Sequence, residues 1–183
     1  MKKDNEIRPI EYSNRAIKNA VAFGVLIRVF LLILIVFVLK DSVDPYLAID
    51  DANYEKLARS YLQNASSIID LDTFTRIGGL GYLQVFWPWV MCISGYIFRT
   101  EYAGRIVNII MSAIITIIIH DMTFDISNNH KTAIKAAKMY SYFPTTVIFS
   151  CFPFKDVYIT LSVFLHSKQL SIFKRGKNYQ SRE

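Results

Sequence analysis

Cysteine is scarce in this sequence, with two residues among 183. Cys92 and Cys151 both lie inside apolar runs, so neither a disulfide framework nor a thiolate metal site is expected. The three histidines, His120, His130 and His166, are scattered along the chain without the spacing of metal ligands. These absences argue against a disulfide-stabilised scaffold and against a Cys or His metal centre.

Acidic residues are outnumbered, with 15 Asp and Glu against 21 Lys and Arg, which gives a net charge of +6. Such a balance is compatible with nucleic-acid binding, but the basic residues cluster at the two termini and beside apolar runs. Anchoring next to a membrane explains that placement more simply. We therefore expect membrane lipid, and no nucleic acid, among the partners.

Long apolar runs are the most prominent feature that is present, and hydrophobic residues make up 52% of the chain. The first run has Arg28 as its one charged residue, and at about 1.5 Å per residue its length is about 30 Å, enough to cross a bilayer core. The predicted spans are residues 20–39, 81–98, 103–120 and 136–154. The predicted fold is an all-α, polytopic helical membrane protein of about four transmembrane helices, forming one domain over residues 1–183.

Charge asymmetry predicts how the chain is oriented in the membrane. Residues 1–19 form a short basic leader, which the positive-inside rule places in the cytoplasm. Residues 40–77 then form an external loop, and its seven acidic residues outnumber four basic ones. Residues 166–183 form a basic tail. We expect a multi-pass protein of the cell membrane with a cytoplasmic N-terminus.

Inside the external loop, residues 46–63 read YLAIDDANYEKLARSYLQ and predict an amphipathic helix. Its apolar stripe is formed by Tyr54, Leu57, Ala58, Tyr61 and Leu62. Asp50 and Asp51 fall at the start of the helix, where carboxylates cap free N–H groups and face the positive end of the helix dipole. Capping and a catalytic role both remain open for this pair.

The third apolar run carries two polar residues, Arg105 and Asn108, near its beginning. They are three residues apart and therefore share one helix face. Snorkelling to the lipid headgroups is sufficient to explain Arg105. Asn108 requires a partner on another helix, because an amide is costly to leave alone inside a span.

The first predicted span is followed directly by the sequence Asp50-Asp51-Ala52-Asn53-Tyr54. In this motif and its position, the chain resembles the N-terminal part of the GT-C glycosyltransferases. The similar members are the protein O-mannosyltransferase and lipid A aminoarabinose transferase relatives, which use polyprenyl-phosphate sugars. That family has an Asp-Asp/Glu-x-x-Tyr motif in its first external loop. Three further features add to the resemblance, because they occur in the same order along the chain. They are Arg28, the pair Arg105 and Asn108, and a Pro-containing run that ends in Lys155-Asp156.

The resemblance implies transfer of a sugar from a polyprenyl phosphate to an acceptor on the outer face of the membrane. Asp50, or less favourably Asp51, would be the base that deprotonates the acceptor hydroxyl. Asp51 would also be the candidate ligand of a divalent cation, the one cofactor implied. The substrate-binding candidates are Tyr54, Arg59, Arg76, Arg105 and Asn108.

The resemblance covers less than half of the length of family members. It therefore implies a truncated or split enzyme, with a downstream polypeptide completing the fold and no activity in this chain alone. The alternative is a non-catalytic protein, such as a small membrane scaffold or an accessory subunit, whose acidic loop only caps a helix. A continuation of the apolar pattern downstream of the chain would favour the enzyme.

Overall fold

The computed structural model describes the backbone of residues 4–38, 49–78 and 86–180, and the side chains of residues 14–38, 52–78 and 86–170. Within these ranges the chain forms eight α-helices and no strand, so the all-α prediction is confirmed. The helices are α1 (Asp4–Ile33), α2 (Ile49–Asn64), α3 (Leu71–Arg76), α4 (Phe86–Phe98), α5 (Ala103–Ser127), α6 (His130–Tyr142), α7 (Pro144–Ser150) and α8 (Lys155–Gln180).

Two of the described helices are long and apolar enough to cross a membrane. The first is Asn14–Val38, which includes most of α1 and the π-helical turn Leu34–Val38, and the second is α5. Each has 25 residues, a length of about 37 Å that exceeds a hydrocarbon core of about 30 Å. In the first of these helices, only 17% of the 18-residue segment with the high hydropathy is buried. A helix at the centre of a soluble domain would be covered on most sides.

The first candidate span exposes a stripe of large apolar side chains at helical spacing. The stripe consists of Phe23, Leu26, Phe30, Ile33 and Phe37, each 48–69% exposed. Exposed apolar stripes of this kind are typical of surfaces that face lipid or another helix.

The other two predicted spans have a different form in the structure. For residues 81–98, the described part is α4, an apolar helix of 13 residues, and residues 79–85 are outside the described ranges. Residues 136–154 are divided between α6 and α7, because Phe143 is extended (ψ 125°) in front of Pro144. A residue before proline avoids the helical region. The four-span arrangement therefore stays a prediction.

The C-terminal part of the chain forms one long helix, which the sequence analysis did not predict. We expected a short apolar segment followed by a basic tail over residues 166–183, but α8 continues from Lys155 to Gln180 without a break. No proline occurs in this stretch, and Gly176 is its one glycine. Asp156 lies in the first turn of α8, where a carboxylate is stabilised by the helix dipole.

The chain divides into two compact units. One contains Met1–Ile27, Met111–Val147 and Asp156–Glu183, and the other contains Arg28–Ile110 and Ile148–Lys155. We call them the first and the second unit. In the first unit, the Ser141 hydroxyl donates to the carbonyl oxygen of Ala20 at 2.9 Å. This bond joins α6 to α1 in the same region where Phe23 and Tyr142 meet edge to face.

In the second unit, α2 and α3 pack against α4 through a compact core. This core contains Leu57, Tyr61, Phe74 and Cys92, which are 0–5% exposed. The rings of Phe74 and Trp89 stack with their centroids 4.1 Å apart. Burying each large apolar side chain contributes about 1.5–3 kcal/mol. The described part of the predicted external loop is thus a packed structure and not an open connection.

Candidate functional site

The predicted amphipathic helix is present as α2, and four of the five residues of its stripe are buried, whereas Leu62 is half-buried. Tyr54, Leu57, Ala58 and Tyr61 are 0–5% exposed, which confirms the face predicted from the periodicity. Asp50 and Asp51 are the second and third residues of α2, but their side chains lie outside the described residues. Their roles as base and as metal ligand therefore stay predictions.

Glu55 and Arg105 form a buried ion pair between α2 and α5, with the Nε of Arg105 donating to the Glu55 carboxylate. The two side chains are 1% and 0% exposed. The Arg105 guanidinium also lies over the Phe152 ring, 5.3 Å from its centroid. Arg105 therefore does not snorkel to the surface, and that expectation was wrong. Its charge is stabilised within the protein by a carboxylate 50 residues earlier in the chain.

The segment between α7 and α8, residues 151–154, accepts hydrogen bonds from two other helices. Asn108 donates from Nδ2 to the carbonyl oxygens of Phe152 and Phe154 at 2.6 and 2.9 Å. The indole Nε1 of Trp87 donates to the Pro153 carbonyl at 3.0 Å. Asn108 thus has the partner that it was expected to need, but the partner is the backbone of this non-helical segment and not another helix. Carbonyl groups that follow a helix end need such donors, because the helix itself leaves them without one.

Arg28 meets the same segment from α1. Its side chain is 2% exposed, and its Nε donates to the Ser150 hydroxyl at 2.7 Å. The Cys151 thiol donates to the carbonyl oxygen of Arg28 at 3.4 Å.

We refer to Arg28, Glu55, Arg105, Asn108 and Ser150 as the buried polar cluster. Its charged members are the two guanidinium groups of Arg28 and Arg105 and the carboxylate of Glu55. Burying charged groups is costly unless they are paired. Guanidinium groups in such a place favour phosphate or carboxylate ligands, which accept their paired N–H bonds.

The remaining predicted binding residues are in different surroundings. Arg59 forms an ion pair with Glu101 at 2.8 Å and is 52% exposed. Arg76, at the end of α3, is also exposed and donates to the Thr73 hydroxyl at 3.0 Å. Tyr54 is buried. The structure therefore brings Arg105 and Asn108 into one buried cluster and leaves Arg59 and Arg76 on the surface.

The connection from α2 to α3 is held by two side chains. The Tyr61 hydroxyl accepts from the Asp70 N–H at 2.7 Å and donates to the Ile68 carbonyl at 3.0 Å. Asp70 caps α3 by accepting from the Thr73 N–H at 2.9 Å. Hydrogen bonds from the N–H groups of Thr73 and Ser66 lower the pKa of Asp70 well below its ordinary value, whereas burial raises the pKa of Tyr61.

A metal site can be assessed only where side chains are described. In that part of the chain, no three His, Cys, Asp or Glu side chains come close enough to hold a metal ion. Asp51 was the predicted metal ligand, and its side chain is not among those described.

Two members of the buried polar cluster were not among the predicted site residues, namely Glu55 and Ser150. Glu55 carried a usable signal, because it lies three residues before Ala58 and so borders the apolar stripe of α2. A carboxylate next to a buried face needs a cation, and Arg105 was available in a span. Ser150 had no comparable signal in the sequence.

Comparisons with protein families, curated proteins and solved structures found no match for this chain.

Proposed function

We propose that this chain belongs to a membrane glycosyltransferase that uses a polyprenyl-phosphate sugar as donor. The observation that carries the proposal is the buried pair of Glu55 and Arg105. It fixes the Asp-Asp helix α2 onto the candidate span α5. A catalytic carboxylate needs such a rigid support, because misplacement by about 1 Å can reduce a rate a hundredfold.

In the proposed reaction, an acceptor hydroxyl attacks the anomeric carbon of the sugar, and the bond from that carbon to the phosphate oxygen breaks. Asp50 takes the hydroxyl proton as general base, and polyprenyl phosphate leaves. Asp51 lies four residues before Glu55 in the sequence. We assign Asp51 to a divalent cation and the cluster arginines to the phosphate.

The reaction requires a particular topology, which we propose together with it. A cytoplasmic N-terminus and one crossing by the first candidate span put α2 on the outer face, where lipid-linked sugars are consumed. The charge asymmetry across the first span supports this orientation. The exposed apolar stripe of α1, from Phe23 to Phe37, supports contact with lipid at that span.

The test compares native membranes with and without this chain. A panel of radiolabelled polyprenyl-phosphate sugars is added, and both loss of donor and labelled product are measured. We expect one donor to be consumed only in membranes that contain the chain. Equal consumption of every donor in both membranes would refute the glycosyltransferase proposal. Membranes are used because other polypeptides of the same membrane then remain present.

A second candidate is an accessory subunit without catalytic chemistry. It is supported by the contacts within the cluster, in which polar groups bond to one another and to backbone, as in a purely structural network. In that case, removing the chain would abolish transfer, while removing the Asp50 charge would leave it unchanged. The two candidates are thus separated by one substitution.

A further inference from the structure

Two adjoining cavities open beside α6 in the first unit. Their volumes are about 580 and 640 Å³, and both are lined by Lys138 and Tyr142. We call the pair the α6 groove. The lining residues used below are Arg15, Phe23, Lys131, Lys135, Lys138 and Tyr142. Each cavity lies within the range of about 300–1,000 Å³ that is typical of sites for small molecules.

The α6 groove is strongly basic. Lys131, Lys135 and Lys138 follow one another at spacings of four and three residues and therefore lie on one side of α6. Arg15 adds a fourth positive charge from α1. Among the described residues that line the two cavities, none is Asp or Glu. Because no described carboxylate lines the groove, its four cations are neutralised by an anionic ligand or are hydrated by solvent.

The groove also has an apolar part, and the orientation of α6 beside it is fixed by packing. Met139 and Phe143 line it and are 64% and 56% exposed. On the other side of α6, Ala133 and Ala137 are fully buried, so the helix cannot turn its lysines away. The occupant is thus expected to carry both a negative group and an apolar group.

The groove lies at one end of a candidate membrane span. Arg15 and Phe23 belong to the first ten residues of Asn14–Val38. The end of a span is the level of the lipid headgroups, where lysines, arginines and tyrosines are favoured. The charge pattern predicts that this end faces the cytoplasm, where the leaflet carries anionic lipid.

From these observations we infer that the α6 groove binds the headgroup of an anionic phospholipid. The lysines and Arg15 bind the phosphate, and the first part of an acyl chain packs against Met139 and Phe143. This inference does not depend on the proposed glycosyltransferase reaction. The site belongs to the end of the span that carries the N-terminus, and its test involves no sugar donor.

The test uses the full chain purified in detergent and titrated with phosphatidylglycerol or with phosphatidylcholine of the same acyl chains, with bound lipid counted by native mass spectrometry. We expect phosphatidylglycerol to bind more tightly. Lys135→Gln and Lys138→Gln should each weaken its binding about fivefold, because one basic side chain near an anionic lipid surface contributes about 1 kcal/mol. Lys138→Arg should retain binding.

The matched control is Lys18→Gln, which removes an exposed lysine of α1 that lines a different cavity. We expect it to leave phosphatidylglycerol binding unchanged. Equal binding of the two lipids, or an equal loss in Lys18→Gln, would overturn the inference. Displacement of the lipid by inorganic phosphate at similar concentration would also overturn it, because the groove would then recognise phosphate without its lipid. Melting temperatures of the variants exclude unfolding as the cause.

Discussion

Arg105→Ala is the most informative change to the described structure. It removes the cation from the buried pair and leaves the Glu55 carboxylate 1% exposed and without that partner. Breaking a buried pair from one side costs about 3–5 kcal/mol, whereas complete native stability is about 5–15 kcal/mol. The contact of the guanidinium with Phe152 is lost as well. We expect the melting temperature in detergent to fall by roughly 10 °C.

Arg59→Ala is the matched control, because Arg59 also pairs with a glutamate but is 52% exposed. Exposed pairs contribute about 0–1 kcal/mol, so its melting temperature should stay close to that of the wild type. The double variant Glu55→Leu with Arg105→Met should recover most of the loss, since no buried charge remains. Equal melting temperatures of Arg105→Ala and the wild type would refute the claim that this pair fixes α2.

Three further predictions concern the 49–78 region. Tyr61→Phe should destabilise the protein by about 1–3 kcal/mol, because the Asp70 N–H and the Ile68 carbonyl lose a buried partner; chemical unfolding measures this. Asp70 has a depressed pKa, so its stabilising effect is complete above about pH 4 and is lost as the pH falls through that pKa. The melting-temperature gap between wild type and Asp70→Asn should therefore close with acid, and a constant gap would contradict the assignment. Ser66→Cys should react with an impermeant thiol reagent in intact cells, because Ser66 is exposed; reaction only after permeabilisation would contradict the external position.

Features that depend on local periodicity could be predicted from the sequence. The stripe of α2 was assigned to the correct face, because Tyr54, Leu57, Ala58 and Tyr61 repeat at helical spacing. The need of Asn108 for a partner was likewise predicted, because an amide within an apolar helix is costly without one. Which atoms would satisfy it was not predictable, since the Phe152 and Phe154 carbonyls are 44 and 46 residues away.

Features that depend on contacts distant in sequence were missed. The Glu55 and Arg105 pair joins positions 50 residues apart, and Arg105 alone had an adequate local explanation. Arg105 was assigned to the headgroups because arginine snorkels readily, but a buried carboxylate stabilises it instead. The run over residues 136–154 resembled a continuous span by composition. The effect of Pro144 on the residue before it divides that run into α6 and α7.

The central claim, that Asp50 is the base of a sugar transfer, is tested most directly by one pair of rates in membranes that contain the chain. Asp50→Asn keeps the shape of the side chain but removes the base, which contributes about 10²–10⁴-fold. Asp72→Asn is the control, since Asp72 is an exposed carboxylate in the first turn of α3. We predict that transfer from the polyprenyl-phosphate donor falls at least a hundredfold in Asp50→Asn and is unchanged in Asp72→Asn. Wild-type transfer by Asp50→Asn would contradict the account and leave Asp50 as a residue that only stabilises the start of α2.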